Sequence, residues 1–444
     1  MRKSTGWSLL VLAGLASRAA VWAGDSEPPK VSPTRPELKA QLEGSKKSRP
    51  RLPLPAPTDA ELAAARSKGA GTLPGIVNNG RMRKLYLPAE LVGGGFTRNR
   101  QRDPAPAANF AFNTKLFWIV SRGNNCIYCQ GHQEAKLASA GVAEDVVAAL
   151  DGAWTDFTPA EQAAFRFTKK LTLTPHLISN ADVDDLRPHY SDQAITEMIV
   201  AVAGFNAMNR WTGSLAIPQE PHRVFLTPTQ PRFESLRSSV APLDPGAQGL
   251  ACAAPAKRKP LESPAEVEAA LKLARSRKPR LPLASEAQTA EVVHSAATSP
   301  APAWERLLAQ VPDTGKPRIE LHKNAETAGK LDKRLRAEIA WIAARNDRAW
   351  YALDIARKRL AAFGLTGNSV FTLDQSGFEG DPGRRLVHAF ARKLTVDPAL
   401  IEDDDVEKLR RHFSDHEVAE MIFQITEAAF FDRLTEAAGL PLDN

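Results

Sequence analysis

Two stretches of eleven residues in this chain are identical at six positions: HYSDQAITEMI at positions 189–199 and HFSDHEVAEMI at 412–422. Ser191 and Ser414 stand where a helix N-cap is expected, and Glu417 can complete a capping box with Ser414. Apolar residues follow at helical spacing, as at Ile195 and Met198. The two stretches therefore predict one helix that occurs twice, 223 residues apart.

The repeat extends well beyond this helix. The same displacement holds without a gap over about eighty residues, which chance does not produce. The identical pairs include Trp118 and Trp341, Arg122 and Arg345, Tyr128 and Tyr351, Gly141 and Gly364, and Pro175 and Pro398. The letters PRLPL also recur, at 50–54 and 279–283, with a displacement that is six residues longer. The chain is therefore an internal duplication.

Composition indicates the fold class. Ala, Leu, Arg and Glu dominate the middle of each half, aromatic residues make up only 7% of the chain, and no stretch has a convincing strand period. We predict an all-α protein of two tandem helical-bundle domains, at 49–222 and 278–444. A Pro-rich linker at 223–277 joins them and contains one helix, Pro264–Arg275. Residues 24–48 are predicted to be disordered.

The first residues have the pattern of an export signal. Arg2 and Lys3 precede an apolar run from Trp7 to Ala16, and small residues place a cleavage site before Gly24. The run is too short to span a bilayer. We predict that residues 1–23 are a signal peptide and that the mature protein is periplasmic or secreted, without membrane attachment.

The net charge and the number of cysteines exclude some classes of function. The net charge of +7 is spread along the chain and forms no basic face with interleaved aromatic residues, so we expect no nucleic-acid partner. The chain has three cysteines, too few for a disulfide scaffold. Cys252 lies in the linker, whereas Cys126 and Cys129 have the spacing of a redox or metal site.

Residues 123–133, GNNCIYCQGHQ, carry the candidate chemistry. Cys126 follows a polar turn and would lie at a helix N-terminus, where backbone N–H groups favour a thiolate. Cys129, His132 and Gln133 would share one face of that helix. Two thiols and an imidazole in this arrangement predict a thiol–disulfide or peroxide-reducing centre.

Other interpretations of the motif remain open. Covalent haem attachment needs a histidine directly after the second cysteine, and Gln130 excludes it. A zinc ion would use Cys126, Cys129 and His132 but needs a fourth ligand that the sequence does not place, so no metal is expected. A structural Cys126–Cys129 disulfide without catalytic function is the plainest alternative.

The motif resembles a known family. Ser121 and the Asn-Cys-x-Tyr-Cys run, together with 190–198 and 205–210, are similar to the carboxymuconolactone decarboxylase/AhpD-like superfamily, over roughly residues 105–220 and again over roughly 328–440. The resemblance implies an all-α fold that commonly oligomerises. Its AhpD branch implies a peroxiredoxin-like alkylhydroperoxidase with Cys129 attacking, Cys126 resolving, and no cofactor beyond their redox-active disulfide.

The sequence departs from the family pattern at two positions. The family histidine falls on Gln133, so we expect the neighbouring His132 to move the proton. The family glutamate falls on Thr114, and no carboxylate is visible in the sequence for that role. Tyr128, Asn209 and Gln133 are candidates for lining the pocket.

The second copy lacks all three chemical groups. Cys126, Cys129 and His132 fall on Ala349, Ala352 and Ile355 respectively. We therefore expect this copy to act as a packing partner in a domain–domain pseudo-dimer, and homo-oligomers remain an expectation.

The leading hypothesis is an exported thiol oxidoreductase that acts on a peroxide or disulfide with an unidentified thiol donor. The alternatives are a non-catalytic duplicated scaffold with a structural disulfide, and a carboxymuconolactone-decarboxylase-like enzyme, suggested by the superfamily name alone.

Overall fold

The computed structural model describes residues 34–68, 76–92, 106–240, 260–293, 300–375 and 381–443. All regular elements in these ranges are helices, which confirms the all-α prediction. The predicted signal peptide and Cys252 lie outside the described residues. No helix in the described ranges is long and apolar enough to cross a membrane.

Ten helices lie in the described residues that precede the predicted linker. They are α1 (Arg35–Ser45), α2 (Asp59–Lys68), α3 (Asn78–Tyr86), α4 (Ala89–Val92), α5 (Pro106–Gly123), α6 (Ile127–Ser139), α7 (Glu144–Ala149), α8 (Pro159–Leu173), α9 (Asn180–Asp184) and α10 (Asp192–Ser214). Two short 3₁₀ helices, Pro175–Leu177 and Pro231–Phe233, complete this part of the described chain.

Nine further helices lie in the described residues from 260 to 443, the first of them within the predicted linker. They are α11 (Pro264–Arg275), α12 (Glu286–Val293), α13 (Ala303–Leu308), α14 (Pro312–Thr327), α15 (Lys333–Asp347), α16 (Trp350–Ala361), α17 (Pro382–Val396), α18 (Asp403–Arg410) and α19 (Asp415–Ala438), with 3₁₀ helices at Gly367–Asp374 and Pro398–Leu400. Helix α11 has the predicted bounds. Helices α8 and α17, and α10 and α19, begin 223 residues apart, as the repeat requires.

The N-caps expected from the sequence are present. Ser191 Oγ accepts a hydrogen bond from the Ala194 N–H, and Ser414 Oγ accepts one from the Glu417 N–H. The Glu417 carboxylate in turn accepts from the Ser414 backbone N–H, which completes the capping box. These contacts satisfy backbone donors that every helix leaves unpaired at its first turn, so they fix where α10 and α19 begin.

Helices α10 and α19 pack against each other at the centre of the molecule, and nearly all their side chains are buried. Their contacts with the opposite half are reciprocal. Arg210 donates to the Thr395 carbonyl at 2.9 Å, and Arg433 donates to the Thr172 carbonyl at 3.2 Å. Because the residues in one bond are displaced by 223 from those in the other, equivalent surfaces of the two halves meet in this contact.

The recurring PRLPL motif has a matching structural role. The backbone N–H of Arg51 donates to the Leu215 carbonyl, just beyond α10. The backbone N–H of Arg280 donates to the Ala438 carbonyl, at the end of α19. Each guanidinium also crosses to the other half, where Arg51 bonds the Ile401 carbonyl at 2.8 Å and Arg280 bonds Asn180 Oδ1 at 3.0 Å. The motif therefore ties each chain segment to the end of its own long helix and to the opposite half.

The N-terminal segment differs from the prediction of disorder over 24–48. Residues 35–45 form α1, which packs on α6. Arg35 is fully buried and pairs with Glu134 at 2.9 Å and with Glu144, while Lys39 pairs with the same two carboxylates. Composition alone suggested a solvated charged segment, whereas these charges are neutralised by partners about one hundred residues away.

Candidate functional site

A tight turn between α5 and α6 places the first cysteine. Asn125 has a φ of 48°, the Cys126 N–H donates to the Ser121 carbonyl at 2.9 Å, and Cys126 is the N-cap residue of α6. The second half keeps this backbone, since Arg348 has a φ of 54° and the Ala349 N–H donates to the Ala344 carbonyl at 2.9 Å. The turn therefore does not depend on the thiols that it presents.

The two cysteines meet at one hydroxyl. Both are present as free thiols, and Thr212 Oγ1 on α10 lies 3.1 Å from Cys126 Sγ and 3.0 Å from Cys129 Sγ. Thr212 Oγ1 also lies 2.9 Å from the Met208 carbonyl, so its one hydrogen can be donated either to that carbonyl or to a cysteine sulfur, and a thiolate attracts it. Thr212 on helix α10 therefore contacts the sulfurs of both Cys126 and Cys129.

The two thiols differ in acidity. Burial opposes ionisation of Cys126, but hydrogen bonding with the Cys129 thiol, Thr212 and the α6 backbone N–H groups lowers its pKa. Burial raises the pKa of Cys129 well above its usual value, and the interaction with Cys126 raises it further. Cys126 is the more acidic of the two thiols because it lies at the N-terminus of α6, where backbone N–H groups stabilise a thiolate.

A carboxylate that sequence inspection missed lies beside the predicted base. His132 Nε2 is 2.7 Å from Glu220 Oε2, and the Tyr128 hydroxyl donates to Glu220 Oε1 at 2.8 Å. The backbone N–H of Asn78, the first residue of α3, donates to the same oxygen at 3.0 Å. Gln219 fixes this segment against α6 by donating to the carbonyls at 127 and 128.

The pKa shifts of His132 and Glu220 indicate the protonation state of each side chain at neutral pH. Burial lowers the pKa of His132, although Glu220 counteracts part of the shift. Burial opposes ionisation of Glu220, but hydrogen bonding to His132 and the charge of Arg223 hold its pKa well below the usual value. A neutral His132 therefore donates from Nε2 to an ionised Glu220, and Arg223 Nη2 lies 3.1 Å from both ring nitrogens.

The internal repeat could have pointed to Glu220, because an acidic residue stands at the equivalent position of the second half. Displacement by 223 carries it to Asp443, and Tyr351 bonds Asp443 as Tyr128 bonds Glu220. The acid–tyrosine pair is therefore common to both halves, whereas the imidazole is confined to the first. Sequence reasoning missed the acid because it lies beyond α10, 88 residues from His132.

A cavity of about 500 Å³ opens beside Cys126. Tyr128 and Thr212 line it, as do Arg51 and the segment 398–401 of the second half, which contributes Pro398, Ala399 and Ile401. Cys129 is not among the residues that line this cavity. A molecule entering here would reach Cys126 first and would also contact the second half.

The other predicted pocket residues have different surroundings. Asn209 is fully buried, takes part in hydrogen bonds with Asn124 and Ser121 that support the turn before Cys126, and also hydrogen-bonds the Cys129 thiol. Gln133 is also buried, and its Oε1 has no hydrogen-bond partner among the described residues. The structure therefore brings Cys126, Cys129 and Thr212 together, with Tyr128 and His132 joined through Glu220. Within the described ranges, no group of three or more His, Cys, Asp or Glu side chains is placed to hold a metal ion.

Comparison with known proteins gives little beyond this geometry. No family model matches the sequence, and no curated protein matches it. Among solved structures, a variant of the debrominase Bmp8 in complex with 2,3,4-tribromopyrrole is similar with 18% identity and a TM-score of 0.30, over 36% of this chain and 83% of that one. A likeness of this size carries no argument about activity.

Proposed function

We propose that the protein is an exported thiol oxidoreductase that uses Cys126 and Cys129 to reduce a disulfide or a peroxide. The observation that carries the proposal is the contact of both sulfurs with Thr212 Oγ1, at 3.1 and 3.0 Å. The two sulfurs also hydrogen-bond each other, so they are close enough to form a disulfide with little backbone movement. Export rests on the N-terminal pattern around Arg2 and Lys3.

Cys126 is the attacking thiol in this proposal. Its lowered pKa supplies the thiolate, and it lines the cavity beside the α5–α6 turn. Cys129, with a raised pKa, is the resolving thiol. This order is the reverse of the roles implied by the family resemblance, in which the second cysteine attacks.

Disulfide reduction proceeds in two exchanges. The Cys126 thiolate attacks one sulfur of R–S–S–R′, forms a Cys126–S–S–R mixed disulfide and releases R′S⁻, which is protonated to R′SH. Deprotonated Cys129 then attacks Cys126 Sγ and expels RS⁻, which is protonated to RSH. Two electrons pass from the protein to the substrate, and the Cys126–Cys129 disulfide that forms is returned to dithiol by an external thiol donor.

Peroxide reduction uses the same groups. The Cys126 thiolate attacks ROOH, takes one oxygen as a sulfenic acid and releases ROH after protonation. Cys129 then attacks the sulfenic sulfur and water leaves, again with formation of the Cys126–Cys129 disulfide. The net change is dithiol plus ROOH to disulfide, ROH and water.

His132 and Glu220 serve the resolving step. Glu220 holds the imidazole in the tautomer that carries its hydrogen on Nε2, which leaves Nδ1 as the basic atom. His132 is one helical turn beyond Cys129 on α6. Once Nδ1 parts from Arg223, it receives the proton that Cys129 loses, and the Glu220 carboxylate stabilises the imidazolium.

Thiol trapping tests the proposal. Reduced Cys129→Ser is mixed with glutathione disulfide or cumene hydroperoxide, and we expect a stable mixed disulfide or sulfenic acid on Cys126 by mass spectrometry. Cys126→Ser should react at least tenfold more slowly at pH 7, and Ala352→Ser in the second half should behave as wild type.

Two results would contradict the proposal. Trapping on Cys129 in Cys126→Ser, with Cys129→Ser inert, would restore the order implied by the resemblance. Failure of every form to react, together with a reduction potential below about −300 mV, would leave a structural disulfide as the better description.

A further inference from the structure

The second half contains a pocket of its own, where the motif cysteines are lost. It has a volume of about 360 Å³ and is lined by residues of α14, α15, α16 and α19. Ala352 and Ile355, which replace Cys129 and His132, form part of its wall. Thr327 and Phe363 are exposed and lie at its mouth.

Two substitutions between the copies account for space in this pocket. In the first half, Phe117 and Phe205 stack with ring centroids 4.1 Å apart and an angle of 4° between the planes. Their counterparts at a displacement of 223 are Ala340 and Ala428, and both line the pocket. Replacing two rings with methyl groups removes core volume that the retained helices do not recover by themselves.

One wall of the pocket is aromatic. The Phe431 ring lines it and stacks on His322 with centroids 4.2 Å apart and an angle of 16°. Trp304 packs edge-on against both rings, at 4.9 Å from His322 and 5.5 Å from Phe431. Rings fixed in this way offer a flat, rigid surface to another planar apolar group.

Among the charged side chains that line the pocket in the described part of the chain, buried Arg336 and exposed Lys333 form no ion pair with an acid. Glu326 pairs with Arg359 and with His322, and Glu427 pairs with Arg318 at 3.0 Å. Arg336 is nine-tenths buried and donates from Nη1 to the carbonyls of Ala325 and Ala328. Within the described part of the chain, its Nε has no hydrogen-bond partner, and the acceptors that its guanidinium does find are neutral carbonyls.

Asp432 does not supply the missing negative charge. Its Oδ2 is buried and has no partner among the described residues, although the residue lines the pocket. Burial raises the pKa of this carboxyl well above its usual value, and the neighbouring Asp347 raises it further. A neutral Asp432 neither neutralises Arg336 nor repels an anion.

We propose that this pocket binds a small carboxylic acid with a planar apolar ring. The ring occupies the space between Ala340 and Ala428 beside Phe431, and the carboxylate pairs with Arg336. A buried cation facing an apolar cavity favours a ligand that brings both an anion and a hydrophobic body. The site is separate from the Cys126–Cys129 pair and does not depend on its chemistry.

The test uses 4-fluorobenzoate as the probe and the full-length protein. Calorimetry and ¹⁹F NMR should show saturable binding of one probe per chain. Ala340→Phe and Ala428→Phe restore the ring that the first half has at each position, and each should weaken binding at least tenfold. Arg336→Gln should weaken 4-fluorobenzoate about tenfold and change the affinity for neutral 4-fluorobenzamide less than twofold.

Several outcomes would overturn the inference. They are no saturable binding by wild type up to about 10 mM, undiminished binding by natively folded Ala340→Phe and Ala428→Phe, and equal losses for both probes in Arg336→Gln. Circular dichroism verifies the folding of each variant. If both phenylalanine variants unfold, Arg336→Gln and the paired probes decide the matter. Cys126→Ser/Cys129→Ser should bind 4-fluorobenzoate like wild type, so failure of either proposal leaves the other intact.

Discussion

His132 Nε2 lies 2.7 Å from Glu220 Oε2, which joins the start of the candidate redox helix to the segment that follows α10. The carboxylate counteracts part of the shift that burial imposes on the imidazole. Glu220→Gln should therefore lower the pKa of His132 further. NMR titration of ring-labelled histidine measures this change. Asp443→Asn, at the matching position of the second half, should leave the His132 titration unaltered.

The same carboxylate should make stability depend on pH. The folded pKa of Glu220 lies below its unfolded value, which is about 4.3 in model peptides. Its stabilisation is therefore complete above the unfolded pKa and is lost as the pH falls toward the folded pKa. Urea unfolding of wild type and Glu220→Gln should show a difference that shrinks as the pH falls below about pH 4, where the carboxyl of the unfolded wild type becomes protonated. A constant difference down to about pH 3.5 would contradict this assignment.

Removing the shared hydroxyl should change thiol acidity. Thr212→Val keeps the shape of the side chain but deletes the oxygen near both sulfurs, so the pKa of Cys126 should rise. We expect alkylation by iodoacetamide at pH 7 to slow about three- to tenfold. Thr435→Val is the matched control, because Thr435 makes the same backbone bond in the half that lacks the thiols. Equal rates in both variants would remove Thr212 from the redox site.

The retained turn of the second half should accept a transplanted pair. Ala349 is the N-cap residue of α16, and the preceding Arg348 has the positive φ of Asn125. Ala349→Cys/Ala352→Cys should therefore form a second disulfide under diamide, seen by mass spectrometry as the loss of two further hydrogens. Ala349→Cys/Ala356→Cys places the second thiol one turn farther along α16 and should not close the bond within the chain.

The buried charges of α1 should be costly to disrupt. Glu134→Gln removes the carboxylate that pairs with buried Arg35 and Lys39, so we expect the free energy of unfolding to fall by about 3 kcal/mol. Glu43→Gln breaks an exposed pair with Lys46 and should cost less than about 1 kcal/mol. Urea denaturation compares the two. Hydrogen exchange in residues 35–45 should accelerate only in Glu134→Gln.

Sequence alone predicted the features that depend on local spacing. The caps at Ser191 and Ser414, helix Pro264–Arg275 and the helical class all follow from patterns within one or two turns. Glu220 reaches His132 only because the chain reverses after α10, where Ala216 has a φ of 48°. A periodic pattern does not encode that reversal.

The N-terminal helix was missed for a related reason. Arg35 and Lys39 are charged residues in a Pro- and Ser-rich segment, and their low hydropathy suggests disorder when the segment is considered by itself. Their partners, Glu134 and Glu144, are distant in sequence. The pocket of the second half required side-chain packing to be seen, because Ala340 and Ala428 are ordinary helix residues until the ring pair of the first half is set beside them.

Arg210 on α10 and Arg433 on α19, which each donate a hydrogen bond to a carbonyl of the opposite half, restrict how the duplicated chain could be divided. Splitting the chain into two independently expressed halves would dilute an interaction in which each half supplies an acceptor for a buried guanidinium of the other. Separating the halves would therefore remove one hydrogen-bond acceptor from each of the two buried guanidinium groups. Substitutions within either half leave these bonds intact as long as the backbone carbonyls of residues 172 and 395 keep their positions. The same pair of contacts ties the second half, which lacks the thiols, to the half that has them.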